Sequence, residues 1–270
     1  MGKTDTKKEQ KDYPRPSVAV DSVLFALESV PPEQRSRLDT KKLKILLVRR
    51  GSEPHVGMFA LPGGFLHKDE EVEHALFREL EEETGISGEL KVINLGVYSK
   101  KGRDSRGWII SCAFLALTNT VSIASQEGSD AAEARWFDFE YSESGDTSVI
   151  TLTDRDTVFT LNYENGRYAD GQIIAFDHAQ IIYDAFIKLR EEVVIHDLIF
   201  PLLPPLFTIA DLQQPYELIT GICTSPANFR RKMQSKIEET EETAAAVSHR
   251  PAKLYRVRTD ARTNDILQEE

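Results

Sequence analysis

Residues 64–86 read GFLHKDEEVEHALFRELEEETGI, and this segment has the clearest pattern in the chain. Val72, Leu76 and Leu80 recur every four residues, which is typical of the apolar side of an amphipathic helix. Gly85 follows the last apolar residue, at the position where a helix usually ends in a left-handed glycine. The pattern therefore predicts one helix with a buried side and a free opposite side.

The opposite side of this helix carries acidic residues. Glu79, Glu82 and Glu83 fall on one face, because offsets of three and four residues return to the same side. Carboxylates held together repel one another, and a hard divalent cation such as Mg²⁺ or Mn²⁺ would remove that cost. Gly63 and Gly64 come just before, where the backbone can approach a ligand closely. The alternative is a solvated acidic helix with no ligand.

The spacing of the whole segment resembles the Nudix box. That motif requires Gly, five residues, Glu, seven residues, Arg-Glu-aliphatic, one residue, Glu-Glu, one residue and Gly-aliphatic. The sequence matches every position, with Gly64, Glu70, Arg78, Glu79, Leu80, Glu82, Glu83, Gly85 and Ile86.

The resemblance implies an α+β fold, in which an α/β/α sandwich surrounds a mixed sheet. It also implies a Mg²⁺- or Mn²⁺-dependent hydrolase that cleaves the pyrophosphate of a nucleoside diphosphate derivative. Carried over by position, Glu79, Glu82 and Glu83 are metal ligands, and Glu79 is a candidate base for the attacking water. Arg78 orients Glu79 through an ion pair, and Glu70 braces the loop.

Further ligand-binding residues follow from the same resemblance. The segments around Arg50, Arg103 and Arg106 resemble the ADP-ribose-directed branch of the family, where guanidinium groups pair with phosphates. Each arginine taken alone is also compatible with an ordinary surface charge. Glu133 is the candidate for an additional catalytic acid from a later loop, or else a surface residue before a strand. His178 is interpreted as a ligand contact or as a structural histidine.

Composition limits the remaining possibilities. The 270 residues include 33 Lys and Arg against 44 Asp and Glu, a formal net charge of -11, and two cysteines. No apolar stretch approaches the roughly 18 residues of a bilayer span, and the charged first residues lack the apolar core of a secretion signal. We expect a soluble cytoplasmic protein that does not contact membranes, with ordinary reduced thiols.

The chain divides into a strand-rich part and a helical part. Short apolar runs predict strands near residues 17–27, 43–49, 90–98, 108–117 and 134–139. Asp177 and Gln180 predict the capped start of a long helix, after which strands become scarce. The predicted organisation is a tail at 1–15, a Nudix domain at 16–190, a winged-helix-like domain at 191–260 and a tail at 261–270.

Capping signals define the helices of the second part. Thr208 with Asp211 predicts a capping box, and Gly221 predicts the end of that helix. Pro215 lies inside it and should bend or shorten it. Ser225 followed by proline predicts the start of another helix. Helix, turn, helix and the strand-like segment KLYRVRT together predict a smaller winged helix-turn-helix.

This arrangement is similar to the Nudix-related transcriptional regulators, whose winged helix binds operator DNA and whose Nudix domain senses ADP-ribose or a related metabolite. Four cations, Arg230, Arg231, Lys232 and Lys236, are predicted on the recognition helix. His249, Arg250, Lys253, Arg256 and Arg258 are predicted in the wing. The alternative is a basic surface on a packing domain, and the acidic run EETEET beside the helix opposes DNA binding.

Two functions remain open on the sequence. The complete acid set favours a hydrolase that converts ADP-ribose to AMP and ribose 5-phosphate. The basic helix favours an ADP-ribose-responsive DNA-binding regulator of NAD or sugar metabolism. The resemblance also implies a homodimer. We expect hydrolytic competence, which is compatible with regulation because it would make the signal transient.

Overall fold

The computed structural model describes residues 13–31, 39–87, 90–123, 131–244 and 252–258. Its centre is a mixed sheet in the order β10-β9-β8-β7-β2-β1-β6-β5, with β3 beside β2 and β4 beside β1. The first and sixth strands are parallel, and the other described pairs in this sheet are antiparallel. The strands are β1 (Ser17–Val30), β2 (Thr40–Arg50), β3 (Phe59–Ala60), β4 (Gly63–Phe65), β5 (Lys91–Tyr98), β6 (Ile109–Thr118), β7 (Ala131–Ser144), β8 (Thr147–Asp154), β9 (Thr157–Glu164) and β10 (Arg167–Tyr168).

Helices cover both faces of the sheet. Helix α1 (Val72–Thr84) covers one side, and helix α2 (His178–Ile195) covers the other. Strand β1 is apolar on both faces for this reason: Leu24 packs with α1, while Phe25 packs with α2. The predicted α+β sandwich around a mixed sheet is confirmed.

Helix α1 has the predicted apolar side and the predicted end. Leu76 and Leu80 are buried, and Gly85 adopts φ 66° and donates its N–H to the carbonyl of Glu81. The start of α2 differs from the prediction, because Asp177 makes no side-chain cap hydrogen bond. Its carboxylate accepts hydrogen bonds from Arg103 instead.

The second part is a helix pair followed by a two-stranded wing. Its elements are a short 3-10 helix (Phe200–Leu202), α3 (Ile209–Thr220), α4 (Pro226–Met233), β11 (Ile237–Thr243) and β12 (Lys253–Val257). The predicted capping box is confirmed: the Asp211 N–H donates to Thr208 Oγ1 over 3.1 Å, and the Thr208 N–H donates to Asp211 Oδ2 over 3.0 Å. The predicted winged arrangement of helices and strands is confirmed.

Two details of this part were not evident from the sequence. Pro215 does not shorten α3, which continues for 12 residues with the proline buried inside it. The acidic run EETEET lies in β11 and pairs with β12. His249 and Arg250 of the predicted wing lie outside the described residues.

The two parts share one apolar core. Leu189 and Val193 of α2 belong to the same buried cluster as Leu212 and Tyr216 of α3 and Phe229 of α4. Polar contacts join the same elements. Arg190 donates to the carbonyl of Thr220 over 3.3 Å, and the Lys41 ammonium lies 2.7 Å from Asp211. In the described ranges, no helix has the length and apolar character that crossing a membrane requires.

Candidate functional site

Arg78 organises the acidic face of α1. Its Nε and Nη2 donate to the two carboxylate oxygens of Glu70 over 2.8 and 2.9 Å, and its Nη1 donates to Glu79 Oε1 over 2.7 Å. Nη2 also donates to the carbonyl of Phe65 over 3.1 Å. These hydrogen bonds from Arg78, with one from the backbone of His67, lower the pKa of Glu70 to about 2. The expected ion pair between Arg78 and Glu79 is present.

Gly63 and Gly64 lie directly against the carboxylates. The Gly63 N–H donates to Glu83 Oε2 over 2.9 Å. A Cβ at position 64 would lie less than 3.0 Å from the carboxylate of Glu79, a separation that real Cβ atoms do not show. Only glycine at this position leaves the Glu79 carboxylate its present place.

The surroundings of Glu83 disfavour its ionised form. Burial raises its pKa to about 8, and the charges of Glu79 and Asp21 act in the same direction. The hydrogen bond from Gly63 and the charge of Arg50 oppose this rise but do not cancel it. A bound cation would stabilise the ionised form.

The donor set suits a hard divalent cation at one end of the site. Glu79 and Glu83 both line the cavity described next, and they supply only oxygen donors. The side chain of Glu82 is 58% exposed and lies 3.3 Å from Arg78 Nη1. Across the described part of the chain, no three His, Cys, Asp or Glu side chains converge as a ready-made metal site. Glu82 therefore stays a predicted ligand that would have to turn inward.

A cavity of about 240 Å³ opens beside these carboxylates. It lies between the ends of β1, β2 and β4, the loop before β6 and the start of α2. It brings together all of the predicted substrate-binding residues, Arg50, Gly63, Gly64, Arg103 and Arg106.

Two of these arginines stack on aromatic rings. The Arg106 guanidinium lies 4.8 Å from the centre of the Phe65 ring and 5.3 Å from that of Phe176. Arg50 lies 4.8 Å from the centre of the same Phe176 ring. Asp104 fixes Arg106, with Oδ2 2.6 Å from Nη2. Burial lowers the pKa of Arg50, and the charge of Arg106 lowers it further. An anion between these two cations would relieve their repulsion.

Arg103 was predicted to donate hydrogen bonds to a phosphate, but its side chain is buried and already paired with carboxylates. Its side chain is 4% exposed. Nε and Nη2 donate to the carboxylate of Asp177 over 3.0 and 2.7 Å, and Nη2 also donates to Asp21 Oδ2 over 3.3 Å. Arg103 therefore joins β1 to the first turn of α2 at the cavity wall.

His178 belongs to the same buried network. Its Nδ1 accepts the N–H of Leu61 over 2.9 Å, so the proton of the neutral ring is on Nε2, which lies 3.3 Å from Asp21 Oδ1. Burial alone would raise the pKa of Asp21. The hydrogen bond of His178, the charge of Arg103 and the hydroxyl of Ser111 outweigh it and lower the pKa of Asp21. His178 therefore has a structural role, the second of the two interpretations given above, and it lies at the edge of the cavity.

Glu133 lies apart from this cavity. The expected loop position is wrong, because Glu133 lies within strand β7 opposite Arg49. Its carboxylate accepts a hydrogen bond from Arg135 Nη2 over 2.6 Å. This pairing lowers the pKa of Glu133.

The sequence analysis missed Asp21 and Phe176 as cavity residues. Asp21 is a lone charge inside the apolar strand segment SVAVDSVLFAL, and that interruption was a usable signal. Phe176 has φ 57°, which is unusual for a bulky residue. Nothing in the sequence around it indicated this conformation.

A second candidate surface lies on α4. Arg230, Arg231 and Lys232 are exposed there, while Phe229 and Met233 face the core. The placement of Lys236 on this helix is wrong, because α4 ends at Met233 and the Lys236 ammonium pairs with Asp197.

Two cations in the described part of the wing pair with carboxylates of the wing itself. Lys253 pairs with Glu239, and Arg256 Nε donates to Glu238 Oε1 over 2.6 Å. Arg230 also lies 3.5 Å from Glu239. Arg231 forms a hydrogen bond of 3.1 Å with Asn228 of its own helix. Among the described residues, Arg231 and Lys232 of α4 make no carboxylate contact, and the Lys232 ammonium lies 4.3 Å from the centre of the Tyr216 ring.

Comparison with known proteins matches both parts. Residues 37–147 match the NUDIX domain, and residues 199–257 match the NrtR DNA-binding winged helix domain. The chain is 31% identical over 254 residues to the ADPR responsive transcriptional repressor NtrR of Acinetobacter baylyi, covering 92% of this chain and 84% of the relative. It is 40% identical over 136 residues to the ADP-ribose pyrophosphatase of Methanocaldococcus jannaschii, covering 50% of this chain and 69% of that protein.

A solved structure extends the similarity to a protein with bound DNA. Shewanella oneidensis NrtR complexed with a 27mer DNA superimposes with a TM-score of 0.60 at 25% identity. The superposition covers 90% of this chain and 94% of the other.

Proposed function

This chain belongs to the family of Nudix-related transcriptional regulators of the NrtR type, and we propose that it is a DNA-binding regulator that responds to ADP-ribose. The observation that carries the proposal is the presence, in one continuous fold, of an arginine-lined cavity and an exposed basic helix. The proposal is also supported by the relative in Acinetobacter baylyi, which is named an ADPR responsive transcriptional repressor.

The cavity has the chemistry of a nucleoside diphosphate site. Arg50 and Arg106 present two neighbouring cations, which suits two linked phosphates. Phe65 and Phe176 already stack on the guanidinium groups, and they offer flat apolar surface to a base or ribose. Gly63 and Gly64 line the same cavity, so their backbone would lie beside the diphosphate.

The DNA-binding surface in this proposal is helix α4. Arg230, Arg231 and Lys232 would contact phosphates or base edges in the major groove, as the second helix of a helix-turn-helix does. Lys236 would contribute from the following turn. We further propose that the protein is a homodimer, because a two-fold symmetric protein matches a two-fold symmetric operator. We also propose that it is cytoplasmic and that it regulates NAD or sugar metabolism.

A mobility-shift experiment tests this function. The full chain is titrated on DNA from upstream of its own gene, with and without ADP-ribose. We expect retention of the DNA and a change in affinity when ADP-ribose is added. The double variant Arg230→Ala and Arg231→Ala should weaken retention, whereas Lys188→Ala on α2 should not. Unchanged retention in the double variant would show that α4 is not the reader.

We propose hydrolysis as a second function of the same cavity. The supporting observation is the complete acidic box with Arg78 paired to Glu79. A Mg²⁺ or Mn²⁺ ion held by Glu79, Glu82 and Glu83 would neutralise the diphosphate and lower the pKa of a bound water. Arg78 would fix the carboxylate of Glu79 as a base for that water, and the products from ADP-ribose would be AMP and ribose 5-phosphate.

Product release with Mg²⁺ or Mn²⁺ and a panel of nucleotide sugars tests hydrolysis. Glu82→Gln should abolish metal-dependent turnover while the fold persists, because it removes a ligand charge. Full activity of this variant at saturating metal would make the ligand assignment wrong. Glu133→Gln, compared with Glu140→Gln on the same strand, tests the proposed additional acid. Binding of ADP-ribose without turnover on any substrate would leave regulation as the sole function.

A further inference from the structure

The ion pair between Arg103 and Asp177 connects the cavity to helix α2. Arg103 lines the cavity together with Arg50 and Arg106, but its guanidinium is occupied by two carboxylates. Asp177 stands at the N-cap position of α2 and makes no capping hydrogen bond. The first turn of α2 is thus tied to the cavity wall by Arg103 in place of an ordinary cap.

The other end of α2 carries the winged helix. Leu189 and Val193 lie in the same buried cluster as Tyr216 of α3, and Arg190 donates to the carbonyl of Thr220 at the end of α3. The helix has 18 residues, a length of about 27 Å at 1.5 Å per residue. A packed helix moves as a unit, so a shift at its first turn reaches α3.

An anionic ligand competes directly with Asp177. A phosphate accepts the same bidentate hydrogen bonds from a guanidinium group as a carboxylate does. A diphosphate between Arg50 and Arg106 meets Arg103 as the third guanidinium of the cavity. Attraction of Arg103 to the ligand weakens its hold on Asp177 and frees that carboxylate to cap α2.

We infer that the Arg103–Asp177 pair is the switch through which ligand binding in the cavity changes the affinity of the winged helix for DNA. The inference rests on the proposed regulatory function and names the element that couples its two sites. The ligand-free pair holds α2 in one position relative to the sheet. The ligand-bound cavity releases it, and α3 and α4 move with α2.

The experiment measures DNA dissociation constants of the full chain with and without saturating ADP-ribose, on DNA from upstream of its own gene. The wild type should show a ratio of about 5- to 150-fold, the usual range of coupling between sites. Asp177→Asn keeps a capping side chain but removes the charge, and it should reduce the ratio to less than about twofold. Calorimetry should show that this variant still binds ADP-ribose.

Asp184→Asn is the matched control. Asp184 lies on the same helix, outside the cavity, and its carboxylate accepts hydrogen bonds from Tyr98 and Gln180 over 2.8 Å each. This variant should keep the wild-type ratio. Asp177→Ser provides a second uncharged cap should the asparagine variant not fold.

The outcomes separate the two proposals. A wild-type ratio in either folded Asp177 variant would overturn the switch while the regulatory function stands. Loss of the ratio in both Asp177 variants and in Asp184→Asn would also overturn it, because the effect would then be general to α2. A wild type that binds neither DNA nor ADP-ribose would reject the proposed function, and the inference with it.

Discussion

The backbone of Gly64 lies so close to the carboxylate of Glu79 that any Cβ at that position would displace this carboxylate. Arg78 holds the carboxylate there with a hydrogen bond of 2.7 Å. The box glycine therefore has a steric role in addition to allowing a turn, because it sets where the proposed catalytic base can lie.

Gly64→Ala should lower metal-dependent hydrolysis by about 100-fold, the loss that a displacement of about 1 Å can cause at a reacting group. The added methyl group forces the end of the Glu79 side chain away, which a flexible side chain can do without unfolding the protein. Steady-state kinetics and a thermal melt measure both effects. Gly171→Ala is the control, because a Cβ at Gly171 meets open space. Equal activity of the two variants would contradict the steric role.

The raised pKa of Glu83 predicts a specific dependence of stability on pH. The carboxyl ionises near pH 4.5 when unfolded and near pH 8 when folded. Its contribution to stability is therefore lost as the pH rises from about 4.5 to about 8. The loss amounts to roughly 3–5 kcal/mol, at 1.36 kcal/mol per pKa unit.

Denaturant unfolding of the metal-free protein at pH 5 and pH 8 measures this term. Glu83→Gln should gain stability relative to the wild type at the higher pH, whereas Glu81→Gln, an exposed neighbour on α1, should not. Addition of Mn²⁺ at pH 8 should restore wild-type stability, because the cation binds the charged form. An identical pH profile for wild type and Glu83→Gln would show that Glu83 is ionised normally.

Asp21→Asn should destabilise the protein by about 3 kcal/mol, because it leaves a buried guanidinium short of one of its carboxylates. Asp21 is 7% exposed and contacts Arg103, His178 and Ser111. Asp146→Asn in an exposed turn should change stability by less than about 0.5 kcal/mol. Chemical denaturation compares the two, and a similarly small effect at both positions would show that the network is replaceable.

Phe229→Ala should weaken the whole molecule and not only the winged helix, because Phe229 belongs to the core shared with α2. The expected loss is about 3–5 kcal/mol for a fully buried phenylalanine. The two tryptophans, Trp108 and Trp136, are both in the Nudix part and report on it by fluorescence. Their unfolding midpoint should fall in this variant and stay unchanged in Leu218→Ala. A constant tryptophan midpoint in Phe229→Ala would mean that the two parts unfold independently.

Local patterns predicted the box helix, the capping box at Thr208 and the start of α4 well. Each of these depends on residues within a few positions of one another, so the sequence contains the whole signal. The strands between Thr147 and Tyr168 were missed, because they are short and exposed on one side. Their turn at Asn165 and Gly166, with φ of 49° and 71°, was nevertheless a readable hairpin signal.

Long-range pairings escaped the sequence analysis. Arg103 and Asp177 lie 74 positions apart, and only the folded sheet brings them together. The sequence indicated a helix cap at Asp177 and a ligand contact at Arg103, each plausible locally. In the folded protein the two side chains pair with each other instead. The residues that line the cavity could be predicted from their type and position in the sequence. The ion pairs among them could be recognised only in the tertiary structure.

The paired charges of the wing should reduce the salt dependence of DNA binding at Lys253 and Arg256. A duplex that approaches Lys253 and Arg256 must first displace Glu239 and Glu238, which already serve as their counterions. Contacts made there would exchange one intramolecular partner for a phosphate and would release few ions from solution. Salt would then act on the complex less through Lys253 and Arg256 than through the recognition helix.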